Sequence, residues 1–367
     1  MYAESLELKN FRNYEDLSLS FDPGTNVFYG DNAQGKTNIL EAIAVLATTK
    51  SHRGSRDMEM IRFGEDESHL RLIFNRNGVS HKTDMHLRRG GKKSVALDGL
   101  VLRRAADLYG QMNIVFFSPE DLNIIKEGPG ERRRFMDSEL SQLDHVYISS
   151  LAQYNRVLEQ RNALLHELPF QKSLETTLEI WDAQLYAKGL FLIRARADFI
   201  RKLNPIVEGI HSELTGGREM IHLSYEPNVT TEDFEKKIRE NRERDLRMKT
   251  TTTGPHRDDF RVTVGDVDIR HYGSQGQQRS AALSLKLSEI DLLREVTGDQ
   301  PVLLLDDVLS ELDSGRQKML LSNMKHVQTF ITCTGMDDLV ENRFQVDRAF
   351  HVSGGHAEIT ASGTADQ

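Results

Sequence analysis

The chain has 367 residues, of which 38% are hydrophobic and 28% charged, and its formal net charge is −9. This composition is typical of a globular protein with a core large enough for two or three domains. The chain contains no run of about 18 uncharged apolar residues, which is the length needed to span a membrane. The single cysteine, Cys333, excludes an internal disulfide framework and a cysteine-based zinc site. The N-terminal segment has no basic region followed by an apolar run, so we expect a cytoplasmic protein without a signal peptide or a membrane partner.

Two alternating strands near the N-terminus lead to the most informative segment of the chain. Residues 30–37 read Gly-Asp-Asn-Ala-Gln-Gly-Lys-Thr and match the phosphate-binding loop pattern G-x-x-x-x-G-K-[ST]. A buried strand is predicted for residues 25–29 and a helix for residues 37–47, so the helix N-terminus faces the anion that the loop would bind. The alternative, an ordinary glycine-rich turn, is disfavoured by this strand–loop–helix context.

The loop predicts ATP and Mg²⁺ as cofactors. Its glycines allow successive backbone N–H groups to face a triphosphate, while Lys36 is expected to bridge the β- and γ-phosphates and the Thr37 hydroxyl to bind Mg²⁺. The residues assigned to the nucleotide are Gly30, Asp31, Asn32, Ala33, Gln34, Gly35, Lys36, Thr37 and Asn38.

A basic segment follows in an otherwise acidic chain. Residues 70–102 predict an antiparallel meander with turns at Asn-Gly, Gly-Gly and Asp-Gly pairs. Residues 76–104 contain eight basic and two acidic side chains, and four of the cations lie at one predicted hairpin tip. A solvated charged face is the usual explanation of such a run, and nucleic-acid binding, which depends on local patches rather than on net charge, is the alternative. The candidate nucleic-acid contacts are Arg88, Arg89, Lys92 and Lys93 at the hairpin tip, with Arg53 and Arg56 after the phosphate-loop helix, and such contacts to phosphates carry no sequence information.

The middle of the chain is predicted to be an inserted, mainly helical domain. Two long helical patterns lie on either side of residues 168–170 and predict an antiparallel helical hairpin. A charged surface helix is expected at residues 231–249. The chain then returns to strands near residue 260, and the tail after about Gly354 is expected to fray. The predicted domains are residues 1–118, 119–250 and 251–367, the first and last forming the two halves of one ATPase head.

A second helix start with anion-binding features precedes the C-terminal strands. Ser274, Gly276 and Gln277 lie immediately before a predicted helix and offer hydroxyl and backbone N–H donors. A single ATP needs only one phosphate loop, so the loop at residues 30–37 does not explain this second motif.

Two adjacent carboxylates complete the predicted ATP site. Residues 301–305 form an apolar run typical of a buried parallel strand, and Asp306 and Asp307 emerge at its carboxyl end. Asp306 is expected to bind Mg²⁺, and Asp307 to orient or deprotonate the attacking water as a catalytic residue together with Lys36. The alternative is a solvated turn after a core strand. Asp306 lies 271 positions after Gly35 (306 − 35), so the ATP-binding fold must be interrupted by an insertion.

This combination of motifs resembles the ABC-type ATPases, in which the Ser-x-Gly-Gln signature of one subunit caps the γ-phosphate held by the other. Within their SMC branch the chain closely resembles the RecF family over nearly its whole length. The segments that carry this resemblance are residues 8–14, 30–38, 51–53, 118–122, 132–135 and 254–259, with the regions around Ser274 and Asp306.

The resemblance implies an α/β fold: an ABC-type P-loop ATPase head of antiparallel and parallel sheets with helices, plus the helical insertion. It also implies an ATP-dependent homodimer that binds double- and single-stranded DNA at the junctions of gaps. RecR and RecO are the implied partners that load RecA, and roles in replication, repair and the SOS response are implied as well.

The sequence departs from the wider ABC pattern at the catalytic acid. Asp307 replaces the usual glutamate and is one methylene shorter, and no histidine ends the strand that contains Thr332. We therefore expect slow hydrolysis that times release, below roughly 10 turnovers per second. The alternatives are an SMC-type DNA-structuring ATPase, an ABC ATPase subunit of another complex such as a transporter, and a scaffold with a vestigial loop.

Overall fold

The computed structural model describes residues 1–168, 175–324, 326–335 and 345–362. The chain divides into two compact units, of which the first comprises Met1–Asp121 with Glu289–Gln367 and the second comprises Leu122–Ser288. The insertion predicted from the sequence ends at residue 250, whereas the second unit continues to residue 288. The difference arises because the strand Asp259–Val264 pairs with the strand Ile221–Glu226 inside that unit.

Strands predominate in the first and last parts of the described chain, and helices predominate in its middle. The strands are β1 (Tyr2–Phe11), β2 (Tyr14–Ser20), β3 (Thr25–Tyr29), β4 (Glu67–Arg76), β5 (Val79–Arg88), β6 (Ser94–Leu97), β7 (Leu100–Val101), β8 (Ile114–Phe117), β9 (Ile221–Glu226), β10 (Asp259–Val264), β11 (Val267–Asp268), β12 (Val302–Asp306), β13 (Thr329–Cys333), β14 (Arg348–Ser353) and β15 (His356–Ser362). The α-helices are α1 (Lys36–Thr48), α2 (Asp57–Met60), α3 (Asn123–Lys126), α4 (Pro129–Leu143), α5 (His145–Glu167), α6 (Glu175–Thr215), α7 (Phe234–Glu240), α8 (Arg242–Met248), α9 (Ile269–Tyr272), α10 (Gln275–Thr297) and α11 (Ser314–Asn323).

An antiparallel sheet in the order β2-β1-β4-β5-β6-β7 opens the first unit. Its strands alternate, so that Leu6, Leu8 and Leu70 are buried while the polar residues between them face the opposite side. Asn77 and Asp98 adopt positive φ at the Asn-Gly and Asp-Gly turns, as these tight hairpin turns require. The predicted meander is therefore confirmed.

A second sheet in the order β15-β14-β3-β13-β12-β8 contains the strands that lead to both nucleotide motifs. Its strands run parallel except for β15, which pairs antiparallel with β14. Residues 302–305 of β12 are fully buried, as their apolar run predicts. Since β13 separates β3 from β12, the ends of these two strands emerge one strand apart at the same edge of the sheet.

Helix α1 joins the two sheets into one core. It contacts β4 and β5 of the antiparallel sheet and β8, β12 and β13 of the parallel sheet. Ile39, Leu40 and Ile43 are completely buried within this core. The helix that starts at the phosphate-binding loop is thus held on both sides by apolar packing.

The second unit contains a helical hairpin and a small sheet. Arg161 of α5 contacts Asp182 of α6, and Tyr147, earlier in α5, contacts Arg196, later in α6. This reversed order confirms that α5 and α6 run antiparallel. Strands β9, β10 and β11 form a three-stranded antiparallel sheet beside them.

Three local predictions differ from the structure. The first long helical pattern is divided at Asp144, whose carboxylate accepts a hydrogen bond from the Val146 N–H and caps α5. Residues 231–249 form two short helices, α7 and α8, with Asn241 between them. The expectation that the chain frays after Gly354 is wrong as far as residue 362, because β15 completes the edge of the parallel sheet. Residues 169–170, predicted to turn between the long helices, lie outside the described residues.

In the part of the chain that the structure describes, no helix combines the length and the apolar character needed to cross a bilayer.

Candidate nucleotide site and basic surface

The phosphate-binding loop has backbone geometry that only glycine can adopt at two positions. Gly30 has φ of 146°, and a Cβ atom there would lie 2.4 Å from the carbonyl oxygen of Val352. Gly35 has φ of 113°, and a Cβ atom there would approach the side chains of Asn13 and Tyr14 within 2.8 Å. Both positions therefore require glycine, because a side chain would clash with its neighbours and because the backbone has positive φ.

The ammonium group of Lys36 is held over this loop. Its Nζ donates hydrogen bonds to the carbonyl oxygens of Gly30 and Asp31 at 2.6 and 2.7 Å, and the residue is only 8% exposed. These bonds concentrate a positive charge where the backbone curls around the expected phosphates. Asp31, Asn32 and Ala33 form the exposed part of the loop.

The two halves of the predicted magnesium site meet directly. The Thr37 hydroxyl and the Thr332 hydroxyl each donate a hydrogen bond of 2.7 Å to Oδ1 of Asp306. Burial raises the pKa of the Asp306 carboxyl, and the two hydroxyl donors oppose that shift. Hydroxyl and carboxylate oxygens are ligands that Mg²⁺ prefers, so Thr37 and Asp306 fit the ion that the sequence predicts.

Asp307 follows on a strained turn beside this pair. Its φ is 53°, and its N–H donates to the Thr332 hydroxyl at 3.0 Å. The Ser310 hydroxyl donates to the Asp307 carbonyl oxygen at 2.9 Å. Unlike Asp306, this residue is exposed to solvent. Aspartate adopts positive φ more readily than most other residues, and the catalytic role of Asp307 stays a prediction.

The turn between β1 and β2 supports the loop with side chains that received no role from the sequence. The Asn13 amide donates to the Gln34 carbonyl oxygen at 2.9 Å, and the Tyr14 hydroxyl donates to that of Gly35 at 3.0 Å. Asn38, predicted to bind nucleotide, donates to the Asn13 side chain at 2.8 Å. No spacing rule connects this turn to the loop, so only a structure could reveal the contact.

A buried ion pair holds α1 to the same turn. Arg12 donates two hydrogen bonds to the Glu41 carboxylate at 2.7 and 2.8 Å, and Ser51 donates a third. Burial favours the neutral acid, but the donors from Arg12 and Ser51 outweigh it and lower the pKa of Glu41. This ion pair could have been anticipated from Glu41, because it is an acidic residue at a core position of an apolar helix, where an unpaired charge would be costly.

The signature motif lies in the second unit at the start of α10. The Ser274 hydroxyl accepts from the Gln277 N–H at 3.2 Å, and the Gln277 side chain accepts from the Ser274 N–H at 3.0 Å. This reciprocal capping box fixes the helix start. Gln277 also donates to Glu219 at 3.2 Å. Ser274 and Gly276 are exposed, so solvent reaches this end of the helix, where the sequence predicts an anion-binding site.

The structure separates the predicted DNA contacts into two types. Lys93 is engaged with Asp57 at 2.9 Å and with the Thr49 carbonyl oxygen, and Arg89 donates to the Glu65 carbonyl oxygen. Arg88 and Lys92 are exposed at the hairpin tip. These two are therefore the members of the tip that are best placed to reach a phosphate.

The two cations predicted after α1 also differ from each other. Arg53 donates to the Asn38 side chain at 3.4 Å and interacts electrostatically with Asp306, so it lies beside the nucleotide site. Arg56 is exposed at the start of α2. The DNA contacts of both residues stay predictions.

Comparisons of the sequence with known proteins give consistent matches to one family. Residues 2–358 match the family described as RecF/RecN/SMC N terminal domain. The chain is 55% identical to the DNA replication and repair protein RecF of Agathobacter rectalis, over 98% of this chain and 99% of that protein. It is 42% identical to the protein of the same description from Clostridium botulinum, over 97% and 99% of the two chains.

Solved structures give the same result for the fold. A structure of the recombination mediator protein RecF with ATPrS in the RecFOR pathway superposes with a TM-score of 0.92 at 36% identity, covering 98% of each chain. An SMC head bound to the winged-helix domain of ScpA matches with a TM-score of 0.57 at 18% identity over 98% and 97% of the chains, which supports the ABC-type head fold alone. The chain belongs to the RecF family of DNA replication and repair proteins and has the ABC-type ATPase head fold of that family.

Proposed function

We propose that the chain is an ATP-dependent, DNA-binding recombination mediator that forms a homodimer when it binds ATP and Mg²⁺. The observation that carries this proposal is the meeting of Lys36, Thr37 and Asp306 at one sheet edge. A solved RecF relative at 36% identity is described with ATP, which supports ATP as the nucleotide.

In the proposed site each residue has a distinct task. Lys36 and the loop N–H groups hold the phosphates, while Thr37 and Asp306 hold Mg²⁺, which when bound neutralises phosphate charge. Asp307 orients or deprotonates the attacking water. Its side chain is one methylene shorter than glutamate, so hydrolysis is slow and serves to time the release of the clamp.

The open end of α10 provides the basis for dimerisation. Its exposed Ser274 and Gly276 offer hydroxyl and N–H donors, and the helix dipole favours an anion at that end. In the proposed dimer these groups contact the γ-phosphate bound by the other subunit. Loss of that phosphate on hydrolysis removes the contact and opens the dimer.

The closed dimer is proposed to bind DNA at the single-strand/double-strand junctions of gaps and to act with RecR and RecO in loading RecA. Roles in replication, repair and the SOS response are part of the proposal, and the RecFOR pathway named for the solved relative supports the recombination part of it. An SMC-type DNA-structuring ATPase is the alternative. An SMC protein needs much longer coiled-coil arms than this chain offers, because the 41 residues of α6 span only about 60 Å.

A mixing experiment tests whether two subunits share each nucleotide. Lys36→Ala disables the phosphate loop, and Ser274→Arg places a bulky cation at the open helix end. We expect neither variant alone to dimerise with ATP and Mg²⁺, whereas an equimolar mixture dimerises because one of its two shared sites is intact. Light scattering with and without ATP measures the change in mass.

Two results would contradict the proposal. A mixture that stays monomeric while the unmodified chain dimerises would indicate that loop and signature act within one subunit. An unmodified chain whose mass does not respond to ATP would contradict the clamp itself and favour a scaffold.

The salt dependence of DNA binding tests the basic tip. We expect the double substitution Arg88→Ala and Lys92→Ala to weaken binding to all sequences equally. The slope of log K against log salt should fall by about 2, since each phosphate contact contributes roughly one unit. Fluorescence anisotropy with a gapped duplex at several salt concentrations measures both quantities.

The matched control replaces one exposed lysine and one exposed arginine elsewhere. Lys236→Ala and Arg239→Ala remove the same charge from α7, where both side chains are about two-thirds exposed or more. Equal slopes for the two double variants would mean that only net charge matters and that the tip is not a DNA contact.

A further inference from the structure

Three potential metal ligands lie together on the outward face of the antiparallel sheet. Glu67 and His69 are two residues apart on β4 and therefore point to the same side. His86 of β5 is the register partner of His69. This face is opposite the core face that contains Leu70 and Met85, so none of the three side chains contributes to the apolar core.

The three side chains converge closely. Nε2 of His86 lies 2.9 Å from one Glu67 carboxylate oxygen, and Nε2 of His69 lies 3.6 Å from the other. The two imidazole rings stack with centroids 4.0 Å apart and planes inclined by 18°. One ligand atom from each residue lies within 4.8 Å of the other two. Ligand atoms around a single Zn²⁺ are separated by about 3.3 Å, so small side-chain rotations suffice to surround an ion.

The backbone under this cluster is well constrained. Strand β4 is paired on both sides, with β1 and with β5, so the Cβ positions of His69 and His86 are fixed by two ladders. Sites built on paired strands hold their ligands more accurately than sites on loops. Lys9 of β1 is the other register partner of His69 and adds a positive charge, but Asp16 of β2 is paired with Lys9 in turn.

The donor set selects a class of ion. Two imidazoles and one carboxylate suit Zn²⁺ and similar divalent transition metals, whereas Mg²⁺ and Ca²⁺ favour oxygen ligands throughout. His69 and His86 line an open groove of about 600 Å³ on the sheet, and the Glu67 side chain beside them is exposed, so water or an external ligand can occupy the remaining coordination positions. Three protein ligands leave one position of a tetrahedral zinc ion open, unlike structural zinc sites, which are closed by four protein ligands.

We propose that Glu67, His69 and His86 form a binding site for one divalent transition-metal ion, with Zn²⁺ as the best match. The ion cross-links β4 to β5 at the base of the basic hairpin tip, where Glu67 is the register partner of Arg88. It is separate from the Mg²⁺ site at Thr37 and Asp306 and does not depend on the proposed function.

Metal titration of the full chain tests the site. The protein, without a histidine tag and after treatment with a chelator, is titrated with Zn²⁺ by calorimetry and with Co²⁺ by visible absorption. We expect one ion to bind per chain. The absorption spectrum of bound Co²⁺ should be typical of a Co²⁺ ion with a low coordination number and nitrogen ligands. His69→Ala, His86→Ala and Glu67→Gln should each weaken binding by at least roughly tenfold, since even the loss of an outer-shell partner costs that much.

His81→Ala is the matched control. His81 is also on β5 and pairs with Asp98 at 2.9 Å, but it lies on the other side of the strand and should leave metal affinity unchanged. Circular dichroism of all variants checks the fold. Absence of saturable binding, or equal affinity of the three ligand variants and His81→Ala, overturns the proposal.

Discussion

Replacement of Lys36 by alanine is expected to weaken ATP binding by at least about 100-fold. The ammonium group donates to the carbonyl oxygens of Gly30 and Asp31 and is held where two phosphates would lie. A hydrogen bond to a charged group contributes about 1.5–3 kcal/mol, and the loss of two such bonds corresponds to two or more powers of ten in affinity. Calorimetric titration with ATP and Mg²⁺ measures the effect.

Lys50→Ala is the control for this substitution. Lys50 follows the same helix and is exposed, so its removal changes the net charge equally without touching the loop. Thermal unfolding of both variants checks that the loop substitution leaves the fold intact. If the two variants bound ATP equally tightly, the nucleotide would have to lie outside the loop of residues 30–37.

The sequence predicts the geometry of the phosphate-binding loop well, because this motif is local. The loop pattern specifies glycine at positions 30 and 35, and the structure explains both by positive φ and close contacts. The meeting of Thr37 with Asp306 was also predictable, because parallel strands bring their carboxyl ends to one edge. Motifs separated by hundreds of residues can be joined by this topological rule alone.

Other features of the site depend on contacts that no local pattern encodes. The bonds of Asn13 to the loop and of Arg12 to Glu41 require β1 and β2 to be docked on α1. The sequence places Lys93 among the cations that could bind phosphates, yet the tertiary fold brings its ammonium group to the Asp57 carboxylate. Charge counts along the chain cannot distinguish a free cation from one that is already paired.

Arg161→Met is expected to lower the free energy of unfolding of the second unit by about 3–5 kcal/mol. The guanidinium is completely buried and donates to Asp182 and Asp245 at 2.7 Å each. Methionine is close to the aliphatic stem of arginine but lacks the guanidinium and its charge. The Asp245 side chain is only 1% exposed, so its carboxylate would remain buried without its counterion.

Fluorescence during urea unfolding measures this loss selectively. Trp181 is the single tryptophan of the chain, and it packs against the apolar cluster formed by α5 and α6, so it reports on the unit that contains Arg161. The double variant Arg161→Met with Asp245→Asn should recover part of the stability, because it removes the unpaired charge along with the cation.

Arg201→Met provides the contrast, since the same substitution removes an ion pair at the surface of α6. Arg201 and Asp198 are 70% and 45% exposed, and such a pair contributes only about 0–1 kcal/mol because water and salt screen it. Both variants make the same chemical change, so the difference between their losses in free energy of unfolding measures the effect of burial. Equal losses for Arg161→Met and Arg201→Met would mean that water reaches Asp245 in the native state, and burial could not then be what makes the contacts of Arg161 stabilising.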